Sequence, residues 1–312
     1  MSLLVSGKVL AENKWQEVLN LLGNIQEYLS EEEFNQSEFA RKVYQANAMA
    51  LLEKWEDVMM LLKKGNASGF SFPLHWKLFA ELENDPEFAN IKQANEEVIQ
   101  KAKKNTKYEY EVMLPEGYDG KQKYPIFFCL HGDGFCCNKK EQMHYWKTDA
   151  IRNKGAIVVY PQSSQIYFSD SYGWLIDPQK AREDMADLYQ EMKAKYSIDE
   201  DKVIVAGFSG GATAVVDLAV HNVFPIKGVI ALCAGDYLDG ETLKDTLEMA
   251  TRGTKLVFYE ASEAKEPTLT PFIQRLKETG NHYEYHLMEG MGHWYPVDIE
   301  EKSLKAIDFF QY

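Results

Sequence analysis

The sequence predicts a mainly parallel α/β sheet with helices on both faces, preceded by an all-helical domain. Three observations predict it. A helical hydrophobic period runs to about Lys104, strand-like runs separated by helical stretches follow Asn105, and a strand, a Gly-rich turn and a helix meet at Ser209. The length of 312 residues suits two domains, expected at 1–104 and 105–312, and 45% hydrophobic residues supply a substantial core.

In the first half, Trp15, Val18, Leu19, Leu22 and Ile25 recur at three- and four-residue steps and form one apolar stripe. Ala46–Leu52 followed by Trp55, Val58, Met59 and Leu62 reads as a second helical pair, with Gly65 placed where a C-cap is expected. Segment 46–58 resembles the small-residue helix, turn and aromatic-led helix of a tetratricopeptide repeat, and Leu82–Phe88 resembles the segment that closes such arrays in bacterial proteins. The resemblance covers roughly Ala40–Lys104. It implies either a helical cap on the second domain or a groove for a protein partner.

The polar run Lys101–Lys107 is expected to be a linker. Beyond it, Tyr108, Tyr110, Val112 and Leu114 alternate with polar residues as a half-exposed edge strand does. Buried strands are expected at Ile126–Leu130, Ala156–Tyr160, Val203–Ala206, Val229–Leu232 and Leu256–Tyr259, with a last strand at Tyr283–Leu287. Helical stretches such as Gln179–Lys195 and Thr270–Glu278 separate them, so ligands are expected beyond the carboxyl ends of parallel strands.

Charge narrows the range of partners. Lys and Arg total 34 against 48 Asp and Glu, a formal charge of −14 that repels phosphate backbones and anionic membranes, so no nucleic acid is expected. No apolar run reaches the length of a membrane span, and a cytoplasmic location is expected. Cys129, Cys136, Cys137 and Cys233 read as reduced thiols, with no partner ligands at metal spacing.

The chemistry is expected where three motifs follow strands. Gly207-Phe208-Ser209-Gly210-Gly211 lies between an apolar run and a helix-like stretch, the context of a nucleophile elbow that exposes a serine on a sharp turn. Glu289-Gly290-Met291-Gly292-His293 follows the last strand, and its glycines let His293 reach back to Ser209 as a proton acceptor. Leu130-His131-Gly132-Asp133-Gly134 offers backbone N–H groups to a developing anion, with His131 expected to brace the loop.

These motifs, with Leu114-Pro115-Glu116-Gly117-Tyr118, together resemble the α/β-hydrolase superfamily over about Lys107–Tyr312, nearest its phospholipase/carboxylesterase-like and dienelactone-hydrolase-like branches. The resemblance implies hydrolysis of a small-molecule carboxylic ester through an acyl-serine, without metal or organic cofactor. It implies oxyanion amides at Gly210 and Asp133. It also implies an acid just beyond the strand ending at Tyr259, where this chain has only glutamates: Glu263 matches best, with Glu266 and Glu260 the other choices and Asp236 a rival at the end of the preceding strand. The Asp133 carboxylate is expected to brace its loop or meet a cationic substrate group, since it opposes charge developing nearby. Trp174, in the aromatic segment 165–174, and Trp294 are expected to line the substrate pocket, or else to pack the two domains together. The same triad suits peptides, thioesters, amides or acyl transfer; a reading of another class is a silent hydrolase scaffold whose helical domain binds a protein.

Overall fold

The computed structural model describes residues 14–235, 243–264 and 269–311, which divide into two units. One comprises the chain up to Asn105 together with Ile166–Asp170, and the other Thr106–Gln165 with the chain from Ser171 onward.

The first unit is helical: α1 (Trp15–Asn24), α2 (Glu31–Gln36), α3 (Glu38–Leu51), α4 (Trp55–Ala67) and α5 (Pro86–Asn105), with short 3₁₀ turns at Ile25–Glu27 and Lys77–Leu82. The stripe of α1 buries Val18 and Leu22 with Ile25 and Ala48 of α3. Ser30 opens α2 with a capping box, its hydroxyl accepting from the Glu33 N–H while the Glu33 carboxylate accepts from the Ser30 N–H. Two expectations change here. Gly65 is no C-cap but lies inside α4, where a β-carbon would come 2.4 Å from the Phe72 ring, so the glycine admits a side chain rather than ending a helix. The expected linker is helical through Asn105, because its lysines suit the negative end of the α5 dipole and solvent. On α5, buried Asn95 accepts the Phe72 N–H at 2.7 Å and donates to the Phe72 carbonyl at 3.0 Å, clamping an extended segment to the helix.

The second unit carries β1 (Glu109–Met113), β2 (Tyr124–Leu130), α6 (Lys139–Tyr145), α7 (Asp149–Asn153) and β3 (Ile157–Gln162). A short strand β4 (Ile166–Phe168), grouped with the helical unit, precedes β5 (Ser171–Tyr172), α8 (Pro178–Lys195), β6 (Ile198–Phe208) and α9 (Gly210–Val220). Then follow β7 (Gly228–Leu232), α10 (Leu243–Thr251), β8 (Lys255–Ala261), α11 (Thr270–Glu278), β9 (His282–Met288) and α12 (Ile299–Phe310). Seven strands form one sheet in the order β1-β3-β2-β6-β7-β8-β9, with β1 antiparallel to β3 and the other pairings parallel.

Strand periodicity builds two cores. Phe128, Val159, Val205, Val229 and Phe258 face one side with Met185 and Leu188 of α8 and Val215 of α9, while their neighbours Phe127, Val158, Ile204, Ile230 and Val257 face the other with Ile307 and Phe310 of α12. This double burial explains why the strands read as continuous apolar runs. Among the described residues no helix is long and apolar enough to cross a membrane.

Candidate active site

Buried residues Val203–Phe208 carry β6 to the carboxyl edge of the sheet, and α9 begins at Gly210. Between them Ser209 adopts φ 53° and ψ −120°, a region that costs a non-glycine residue roughly 1–3 kcal/mol. The turn is tight because glycines flank it: a β-carbon on Gly207 would lie 2.3 Å from the Gly211 carbonyl oxygen, and one on Gly211 2.2 Å from that of His131. The Ser209 N–H donates to the Leu232 carbonyl at 2.9 Å, pinning the elbow to the end of β7. Its Oγ lies 2.8 Å from His293 Nε2.

Aromatic packing holds the histidine loop. The Phe208 ring, immediately before the serine, lies 5.1 Å from the His293 ring and 4.1 Å from that of Tyr295, centroid to centroid. Tyr295 is buried and donates to Gln142 Oε1, and its ring stacks on Tyr145 at 5.2 Å. Trp294 remains 46% exposed beside His293, its ring meeting Tyr145 edge-on at 5.0 Å. Neither Phe208 nor Tyr145 carries a local signal for this packing: the first is the variable position of the elbow pattern, and nothing local ties the second to it.

The loop after β8 is stitched to the histidine loop through backbone groups. Ser262 Oγ accepts the Gly290 N–H at 2.9 Å, and the Glu263 N–H donates to the Met291 carbonyl at 2.9 Å, two residues before His293. The Glu263 side chain is exposed, and no hydrogen bond joins it to His293. Glu260 is half-buried, accepts the Ala234 N–H at 3.0 Å, and is pushed up to about 8 by burial, against the opposing effect of that N–H. Asp236 and Glu266 lie outside the described residues.

Glu260 yields a pH prediction. Its folded form keeps a proton to about 8 that the unfolded chain releases near 4.5, so its contribution to stability is complete below 4.5 and is lost as pH rises towards 8. Glu260→Gln should therefore gain on the parent by roughly 3 kcal/mol between pH 5 and pH 8. Urea midpoints at the two pH values measure it, and a constant gap would show that Glu260 ionises normally.

In the loop after β2, the Asp133 carboxyl packs against the elbow: a β-carbon on Gly210 would lie 2.4 Å from it, so the carboxylate fills the space the glycine leaves. Its Oδ1 accepts the Trp174 N–H at 2.8 Å and its Oδ2 the Leu175 N–H at 3.0 Å. Both oxygens thus meet backbone donors that offset the negative charge. Buried His131 accepts the Ser163 N–H on Nε2 at 3.1 Å, which leaves the Nδ1–H to donate to the Gly132 carbonyl at 2.6 Å. Burial pushes His131 down to about 4, so at neutral pH it is an uncharged brace. Trp174 is 1% exposed and donates from Nε1 to the His131 carbonyl at 2.9 Å, so its ring is covered, whereas that of Trp294 is not. None of the four cysteines is in a disulfide, and among the described residues no group of three His, Cys, Asp or Glu is placed to hold a metal ion.

No protein-family model matches the chain, and no curated protein matches it in sequence. Solved structures do resemble it. An uncharacterized protein from Bacillus cereus ATCC 10987 is similar over 99% of this chain and 97% of its own, at 21% identity and a TM-score of 0.54. Esterase PE8 is similar over 66% of this chain and 98% of its own, at 14% identity and a TM-score of 0.51. A ferulic acid esterase is similar over 66% of this chain and 93% of its own, at 15% identity and a TM-score of 0.53. At these identities the likeness establishes the fold, which is that of the α/β-hydrolases.

Proposed function

We propose that the protein is a serine hydrolase that cleaves carboxylic esters through an acyl-Ser209 intermediate. The observation that carries this reading is the 2.8 Å contact between His293 Nε2 and the hydroxyl of a serine held at positive φ between a strand and a helix. Neutral imidazole accepts the Ser209 proton as Oγ attacks the ester carbonyl, and the imidazolium then returns it to the departing alkoxide. Water, deprotonated by the same nitrogen, releases the acid. The N–H of Gly210, first in α9, and that of Asp133 stabilise the tetrahedral oxyanion in this reading, with the Asp133 carboxylate tied back to Trp174 and Leu175.

Glu263 is the proposed acid, because its backbone bond to Met291 sets it alongside the loop that carries His293. Trp294, exposed beside His293, is the proposed contact for the acyl or aryl group. The helical unit is proposed as a separate domain from the catalytic one.

The test is reaction with a fluorophosphonate probe followed by peptide mass mapping. The expected adduct is on Ser209, and Ser209→Ala should take up none. A chain that turns over no p-nitrophenyl ester and takes up no probe would overturn the reading.

A further inference from the structure

The chain between β3 and α8 is bonded at its base to the oxyanion segment. Ser163, besides its bond to His131, donates from Oγ to the Gly173 carbonyl at 2.6 Å, and the Gly173 N–H donates to the Gln165 carbonyl at 3.1 Å, closing the neck of the loop. From the returning arm, the Tyr172 N–H donates to the Cys137 carbonyl and the Tyr172 carbonyl accepts the Gly134 N–H, both at 3.0 Å. Ser171 Oγ accepts the Cys136 N–H at 3.0 Å. With the two bonds to the Asp133 carboxylate, residues 133–137 are laced to residues 171–175.

The tip of the same loop, Ile166–Asp170, is part of the helical unit. Ile166 and Phe168 are each 6% exposed there, and the Phe168 ring lies 6.2 Å from that of Phe39 and 6.5 Å from that of His75. Ser71 and Ser169 form a reciprocal clasp, each N–H donating to the other's Oγ at 2.8 Å. Ser71 is in turn held by its neighbour, since Asn95 clamps Phe72 to α5. Only Asp170 separates the clasped Ser169 from Ser171, two steps of chain that span at most about 7 Å, so a displacement of the tip has little slack before it reaches the laced arm.

We propose that the helical unit positions the oxyanion segment through this loop, with Phe168, Ser71 and Ser169 as positioning residues. The inference rests on the serine-hydrolase reading for its effect on turnover, but not for its effect on the segment's rigidity.

Hydrogen exchange over residues 133–137, 166–170 and 171–175 of the full chain tests it, beside kcat and KM for p-nitrophenyl acetate. Phe168→Ala and the double variant Ser71→Ala/Ser169→Ala are compared with Ser169→Thr, which keeps the hydroxyl. The first two should speed exchange over 133–137 and 171–175 about tenfold and lower kcat about tenfold, with KM within twofold, because the oxyanion develops only after binding. Ser169→Thr should stay near the parent in both readouts. If Phe168→Ala melts below the assay temperature, the double serine variant, which removes hydrogen bonds and little volume, decides. A tip that loosens while residues 133–137 exchange as before and kcat holds would overturn the proposal, as would a tip that does not loosen. A parent chain without turnover or probe uptake would overturn the hydrolase reading instead, and the exchange data would still decide the coupling.

Discussion

Ser209→Ala is expected to lower kcat for p-nitrophenyl acetate by roughly 10⁵–10⁶-fold, since losing the nucleophile removes the acyl-enzyme route and leaves only binding and the oxyanion donors. Alanine meets the same backbone strain at φ 53° as serine does, so its thermal midpoint should stay close to that of the parent. A folded Ser209→Ala variant with full turnover would move the chemistry elsewhere. Loss of turnover together with loss of cooperative unfolding would instead report damage to the elbow, which the melting curve separates.

The second large effect is expected at the acid. For His293 Nε2 to accept the serine proton, the ring must carry its other proton on Nδ1, and a carboxylate facing Nδ1 fixes that tautomer and stabilises the imidazolium. Glu263→Gln should lower kcat by up to ~10⁴-fold with little change in KM, and by more than Glu260→Gln, Glu266→Gln or Asp236→Asn. Glu260 makes a poor orienting acid, because a carboxyl that keeps its proton to about 8 brings little charge to an imidazolium at neutral pH. A larger loss in Asp236→Asn would place the acid at the end of β7 rather than β8. Steady-state kinetics on the four variants settles the order.

Legibility in the sequence followed burial. β2, β3, β6, β7 and β8 are covered on both faces and could be read as apolar runs, and β1 could be read from its alternation. Ser209 and His293 stood out as candidates because turn chemistry and position after a strand are local properties, and the structure brings the two within hydrogen-bond distance. What could not be read depends on contacts between distant segments. Gly65 is shaped by Phe72, Asp133 by the amides of Trp174 and Leu175, and the Ser71 clasp joins residues 98 apart in sequence. For the same reason segment 165–174 supported a pocket wall and a packing surface equally: an aromatic side chain shows that something is buried, not what it is buried against. The carboxylates of the loop after β8 differ in little but their distance from a ring that only folding positions.

The conformation of Ser209 bears on any attempt to engineer this protein for heat tolerance. Glycine occupies φ 53° without the penalty serine meets, so a library selected for folded yield alone will drift towards glycine at this position. The most thermostable clones would then be inert. Selection on survival has to be paired with a chemical readout of the serine at every round, or the screen will optimise a container emptied of its proposed activity.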